Sequence, residues 1–216
     1  MDISLLDVSK VLEAKNQAKR DDKALESILL EIIGKKDVDT LGHCERVSYY
    51  CSLMGEYLNF SKEEVEVLSV GAALHDIGKV AIPDRILKKP ASLTEEEREI
   101  MQNHTCLGIK LIQVTGHFKE LYPLILYHHE RYDGTGYPYG LDGKQIPLFA
   151  RIISVADSYD AMTSNRTYRK PMNQNRAMQN LISGKGTQFD PNIVDAFIMM
   201  MRYQYISKIS YKAKNF

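Results

Sequence analysis

Ser61-Lys62-Glu63-Glu64-Val65-Glu66-Val67-Leu68-Ser69-Val70-Gly71-Ala72-Ala73-Leu74-His75-Asp76-Ile77-Gly78-Lys79 is the stretch on which the reading of the whole chain turns. Ser61 and Glu64 form a capping box, in which hydroxyl and carboxylate satisfy backbone N–H groups that a first helical turn leaves unpaired. The helix started there runs to His75-Asp76, and Gly78 is its stop signal. Adjacent side chains on a helix diverge, so His75 and Asp76 act together only at a helix end. Imidazole nitrogen and carboxylate oxygen are what protein sites offer to iron, manganese and zinc. An aspartate can bridge two such ions while its neighbouring histidine binds one.

Outward from this stretch the chain reads as helix after helix. Upstream, a helix from about Thr40 to Leu58 carries His43, Val47, Cys51, Met54 and Leu58 on one side. Downstream, Thr94 and Glu97 form a second capping box, opening a helix whose face holds Ile100, His104, Leu107 and Leu111. A further helix near Phe118–Glu130 ends in His128-His129. Two glycines and a proline in Asp133-Gly134-Thr135-Gly136-Tyr137-Pro138 then impose turn geometry. Pro147 opens a helix bearing Ile152, Ala156, Asp157, Asp160 and Ala161, and Asp190-Pro191 reads as N-cap and N1 of a last apolar helix through Met201. No segment alternates with period two, and there is no internal repeat. The fold class is all-α.

At the N-terminus, Ile3 to Gly34 holds two amphipathic stretches with a break expected at Lys19-Arg20-Asp21-Asp22. In the second, Leu25, Ile28, Leu29 and Ile32 follow the spacing of one buried helix face. Residues 1–36 are thus a helical extension, and three roles stay open: packing on its own domain, a dimer contact, or a link to a sensor domain. Residues 37–205 form the main domain and 206–216 a polar tail.

The chain has 216 residues, 44% of them hydrophobic, so it can bury a full core. Lys+Arg and Asp+Glu both number 28, without the basic excess usual for binding long nucleic acid. Cys44, Cys51 and Cys106 show no CxxC spacing and read as reduced core residues. No apolar run reaches the ~18 residues of a membrane span, no signal-peptide pattern opens the chain, and the expected compartment is the cytoplasm.

Five of the six histidines, His43, His75, His104, His128 and His129, fall on inward helix positions, and only His117 lies outside the set. One histidine on an apolar face is more often a hydrogen-bonded core residue than a ligand. Five buried imidazoles without partners would be costly, which points to a shared one. Asp157, set among Ile152, Ile153, Val155 and Ala156, equally needs a counter-charge. Phosphodiester hydrolysis suits this set: two metals ~3.5–4 Å apart activate a water and clamp the phosphate oxygens. Asp76 is the candidate bridge, and Lys79 directs a cation at the substrate phosphate.

With those residues in view, the chain resembles the HD-GYP branch of the HD phosphohydrolases. The matching features are Thr40-Leu41-Gly42-His43-Cys44-Glu45-Arg46-Val47, His75-Asp76-Ile77-Gly78-Lys79, His104, and His128-His129-Glu130 with the loop through Pro138. They continue with Ala150 to Ser164, then Arg166, Tyr168 and Arg169, and Gly186-Thr187-Gln188-Phe189-Asp190-Pro191. The resemblance implies an HD-type helical bundle and a phosphodiesterase that opens cyclic di-GMP to pGpG, with GMP as a further product. It implies metal ligation by His43, His75, Asp76, His104, His128, His129 and Asp157. Asp76 and Lys79 are the implied catalytic residues, and Lys79, Tyr137, Asp160, Arg166 and Arg169 the substrate-binding ones. Arginine offers a planar fork to phosphate and tyrosine a ring to guanine. The implied cofactors are two or three divalent transition metals, iron or manganese first, zinc or nickel next.

Asp39, one turn before His43, has two readings, helix cap or third-metal ligand. The Gly136-Tyr137-Pro138 loop either faces substrate or simply forms a rigid turn. Three functions stand against one another: a cyclic di-GMP phosphodiesterase, a hydrolase of another cyclic dinucleotide such as cyclic GMP-AMP, and a module that binds the dinucleotide without turning it over. Expected partners are the dinucleotide, a second copy of the chain, and a diguanylate cyclase or sensor domain.

Overall fold

A computed structural model describes residues 5–165 and 170–214, with side chains at 17 and between 20 and 203 within that span. It is all-α: among the described residues the only β pairings are the isolated bridges Asp133–Asp142 and Lys185–Phe189. The helices in order are α1 Leu5–Lys36, α2 Val38–Tyr57, α3 Lys62–Leu74, α4 Asp84–Leu87, α5 Glu95–Gln102, α6 His104–Thr115, α7 Tyr122–Tyr127, α8 Leu148–Thr163, α9 Gln174–Ser183 and α10 Pro191–Lys214. Both expected capping boxes form, Ser61 with Glu64 on α3 and Thr94 with Glu97 on α5.

α3 lies between two apolar clusters. On one side, Leu68 and Ala72 join Val47, Cys51 and Met54 of α2, Ile152, Val155 and Tyr159 of α8, and Val194 and Phe197 of α10. On the other, Leu74 and Ile77 meet Leu29 and Ile33 of α1, Ile112 of α6, and Leu121 and Ile125. Each fully buried side chain of this size contributes ~1.5–3 kcal/mol, so the end of α3 is held from both sides. His75 and Asp76 emerge at that end.

Five sequence expectations change. α1 runs unbroken through Lys19–Asp22, because those polar residues are adequate helix formers that interrupt the apolar face without stopping the backbone. Its buried face is Leu29 and Ile33, whereas Ile28 and Ile32 are 53% and 43% exposed. The helix expected to hold both Ile100 and His104 turns at Asn103, leaving Ile100 exposed and His104 as the first residue of α6. The helix expected from Phe118 shrinks to α7, since Phe118 takes a left-handed φ of 59° and Pro123 favours a first-turn position. The last helix, expected through Met201, runs on to Lys214. α9, capped by Asn173, is an element the sequence reading left unassigned.

Candidate metal centre

His43 comes from the second turn of α2, His75 from the C-cap of α3, His104 from the first residue of α6, and Asp157 from α8. His128 and His129 follow α7 directly. After His75 (φ −56°, ψ −33°) the backbone leaves α geometry at Asp76 (φ −99°, ψ 8°) and enters a 3₁₀ turn, Ile77–Ala81. That change lets adjacent side chains converge, and His75 Nε2 lies 3.4 Å from Asp76 Oδ2.

Gly78 makes the next approach. A Cβ there would sit 1.8 Å from the His104 carbonyl oxygen and 2.6 Å from the Gly108 nitrogen, so the 3₁₀ turn lies directly on the α6 backbone. This places His104 Nε2 3.3 Å from Asp76 Oδ1. Gly78 therefore does more than end a helix. Gly136 is similarly confined, with Arg131 N 2.3 Å from a would-be Cβ.

The seven ligand candidates converge into two groups that Asp76 adjoins. Asp76, His104, His128 and His129 offer one set of ligand atoms within 4.8 Å of one another, and His43, His75 and Asp157 another. Asp76 Oδ2 lies 4.0 Å from His43 Nε2, so this carboxylate stands between the sets.

The proton positions follow from the partners. His75, His104 and His128 place Nδ1 at 2.7, 2.8 and 2.9 Å from the carbonyl oxygens of Ala72, Met101 and Ile125. A carbonyl only accepts, so each Nδ1 carries the hydrogen and each Nε2 presents a lone pair inward. His104 Nε2 and His128 Nε2 face each other at 3.4 Å, and Asp76 Oδ1 is buried without a hydrogen-bond donor. Lone pairs directed at lone pairs call for a cation between them, and nitrogen with carboxylate oxygen fits a divalent transition metal.

The electrostatics agree. Burial pushes His104 down to about 4, His129 down to about 3, and His128 well below its ordinary value, so these imidazoles are neutral at pH 7. Burial also lowers His43, but hydrogen bonds to Asp157 (3.0 Å) and Asp160 (2.7 Å) outweigh it and raise it to about 9. A cation held by His43 and Asp157 would take the place of that second proton. Burial raises Asp76, yet Lys79, His75 and His104 outweigh it and hold the carboxyl far below the usual carboxylate range.

The other expected site residues divide. Lys79 Nζ lies 2.5 Å from Asp76 Oδ2, its side chain 25% exposed at the mouth of the centre. The Tyr137 ring packs on His129, centroids 4.8 Å apart. Asp160, expected at the substrate, is buried beneath His43 with both oxygens taken by His43, Arg46 and Ser164. Asp39 is exposed and belongs to neither ligand group, and Asp37 is the cap of α2, accepting from Thr40 N. Arg166 and Arg169 lie outside the described residues.

Two residues carry structure that the sequence reading left without a role. Glu130 is buried and accepts from Tyr139 N (2.8 Å) and Leu141 N (3.1 Å), anchoring the loop that carries Tyr137. Arg46 grips Asp160. The available signal was spacing: His43/Arg46 and Asp157/Asp160 are both i, i+3 pairs, which share a helix face.

The profile of the HD domain family matches residues 27–193. This chain belongs to the HD-domain family. Among curated proteins, it is 41% identical over 191 residues to a cyclic di-GMP phosphodiesterase response regulator, RpfG, of Xanthomonas campestris pv. campestris, covering 88% of this chain and 50% of that protein. It is 40% identical to a cyclic di-GMP phosphodiesterase of Thermotoga maritima, over 76% of this chain and 45% of that one. A 3'3'-cGAMP-specific phosphodiesterase 2 of Vibrio cholerae is 33% identical, over 79% of this chain and 33% of that one. This HD domain thus spans about half the length, or less, of these curated relatives. Among solved structures, a cyclic GMP-AMP specific phosphodiesterase of V. cholerae superimposes with a TM-score of 0.63 at 20% identity, over 82% of this chain and 48% of that one. That likeness bears on the fold.

Proposed function

We propose that this chain is a metal-dependent phosphodiesterase that hydrolyses cyclic di-GMP to pGpG, with GMP as a further product. The observation that carries it is Asp76, a buried carboxylate between two groups of inward-facing nitrogen and oxygen donors, one oxygen without a hydrogen bond. His43, His75 and Asp157 would hold one divalent ion and His104, His128 and His129 a second, with Asp76 shared. Iron or manganese suits these ligands first, zinc or nickel next. The exposed position of Asp39 favours two ions over three. Such ions supply Lewis acidity toward phosphate oxygens and lower the pKa of water from 15.7 toward 7.

The chain's own residues do the rest. Lys79 holds its proton, because Asp76 outweighs the cost of burial, and sets a cation at the mouth of the centre for a phosphate oxygen. Tyr137, fixed over His129, offers its ring to a guanine. Arg166 and Arg169 are assigned to the phosphates by the resemblance alone. Opening the ring requires a water oxygen to attack phosphorus while the P–O3′ bond breaks and the departing oxygen gains a proton.

The dinucleotide is the point on which relatives divide: two cyclic di-GMP phosphodiesterases are 41% and 40% identical to this chain, and two 3'3'-cGAMP-specific ones 37% and 33%. The two relatives with the highest identity quoted above favour cyclic di-GMP. Timed product analysis with anaerobically purified protein, offered cyclic di-GMP and cyclic GMP-AMP in competition, tests it. Preferential appearance of pGpG supports the reading; faster opening of the hybrid dinucleotide transfers the assignment to it, and binding without product leaves a docking module. The N-terminal helix α1 packs on the domain through Leu29 and Ile33, and its exposed Ile28 and Ile32 suit a homodimer, cyclase or sensor contact. No helix among the described residues is long and apolar enough to cross a membrane, and the proposed setting is the cytoplasm.

A further inference from the structure

We infer that the Arg46–Asp160 ion pair is a positioning device that sets the metal affinity of the His43/His75/Asp157 half of the centre, separately from the other half. This rests on the metal-centre reading above. His75, His104 and His128 each donate Nδ1–H to a carbonyl of their own preceding turn, three residues back. His43 alone of these four donates to a carboxylate, that of Asp160, 117 residues away on α8. A carbonyl is a neutral dipole. A carboxylate in the same place makes the imidazole a stronger donor to a cation and fixes its ring plane.

Asp160 is committed to that task. Its Oδ2 receives His43 Nδ1 at 2.7 Å and Arg46 Nη2 at 3.0 Å; its Oδ1 receives Arg46 Nε at 2.7 Å and Ser164 Oγ at 2.9 Å. Four donors meet the four lone-pair positions of one carboxylate. The Arg46 fork is two-pointed, so it fixes the rotation of the carboxylate as well as its charge. Without it, the carboxylate could turn away from His43 or compete for the ion that His43 and Asp157 hold. In the opposite half, the hydrogen bonds and ion pairs of Asp76, His104 and His128 go to Lys79, to one another, to His43 and His75 and to the carbonyls of Met101 and Ile125, and none reaches Arg46 or Asp160. The two halves therefore differ in what supports them, and a change at Arg46 or Asp160 acts on one.

The test is a competition titration of the full-length, metal-free chain with Mn(II) or Zn(II) against a chromophoric chelator, reading two stepwise affinities. Asp160→Asn keeps the size but replaces one acceptor oxygen by a donor, which opposes either His43 or Arg46. It should weaken one step by ~10–100-fold, the range for loss of such a supporting partner, and leave the other within about twofold. Arg46→Gln should weaken the same step by less than about tenfold, because the carboxylate remains. His104→Ala, in the other half, should abolish the other step and so assigns the two. Both steps unchanged in Asp160→Asn, or both weakened equally, would overturn the inference. If Asp160→Asn does not fold, Arg46→Gln decides on the same criteria. Wild-type protein that takes up no metal would instead overturn the centre itself.

Discussion

Replacing Gly78 by alanine should damage the centre from a position that is not itself a ligand. The new Cβ would lie 1.8 Å from the His104 carbonyl oxygen, 2.6 Å from the Gly108 nitrogen and 2.8 Å from the His104 carbonyl carbon. Ordinary contact begins near 3.4 Å, so turn and helix must part by roughly 1.5 Å. Every obstructing atom is backbone, so no side chain can swing aside. Overpacking costs ~1–3 kcal/mol where neighbours can adjust, and here about 3 kcal/mol is expected. With a urea m value of ~2–3 kcal/mol/M, the midpoint should fall by about 1–1.5 M. Because the displaced backbone includes His104, the Asp76/His104/His128/His129 half should also bind metal more weakly. Misplacement of ~1 Å can cost ~10²-fold in rate. Gly116→Ala is the control: its φ of 72° costs ~1–2 kcal/mol, yet nothing lies within 4 Å and no ligand moves. Urea unfolding and metal analysis of both variants check the argument. Gly78→Ala with a wild-type midpoint and full metal content would refute the close approach as the reason for this glycine.

Asp76→Ala should lose bound metal as well as turnover, since it removes the residue shared by both groups; full metal content and full activity by elemental analysis and product assay would contradict that. Lys79→Ala should retain metal and lose roughly ten- to a hundredfold in catalytic efficiency, the value of a charged hydrogen bond of ~1.5–3 kcal/mol. Glu130→Gln, which exchanges one accepting oxygen for a donor beneath Tyr139 N and Leu141 N, should cost ~1–3 kcal/mol in chemical unfolding and loosen the Tyr137 loop. Metal-free protein should be most stable near neutrality. Below pH 6.5 the unfolded chain takes up protons that His104 refuses until about 4, so stability falls toward acid. Above 6.5, folded His43 keeps its proton until about 9 while the unfolded chain has lost it, so its contribution fades toward alkali. A flat pH profile of unfolding for the chelated protein would count against both shifts.

The fold class and the convergence of seven side chains were legible because both depend on local patterns. Capping boxes at Ser61 and Thr94 announce helix starts, and an apolar periodicity of 3.6 residues places His43 on a buried face. Illegible features were those decided by partners remote in sequence. Leu29 and Ile33, rather than Ile28 and Ile32, face the core because α1 meets Leu74 and Ile112 at that angle. Asp160 was assigned to the substrate by the resemblance, and its partner Arg46, on α2, was not visible in the sequence. Asn103 carries no strong break signal, yet the turn there points His104 at Asp76. Gly78 was read as a helix stop; its closer purpose needed the α6 backbone to be seen.

If Asp76 bridges two ions, hydrolysis depends on both of them. Adding Mn(II) or Fe(II) stepwise to anaerobic, metal-free protein while following pGpG formation from cyclic di-GMP tests this directly. The rate should stay near zero through the first equivalent, climb with the second, and level off at two per chain. Turnover by the metal-free protein, or none with two equivalents bound, would contradict it.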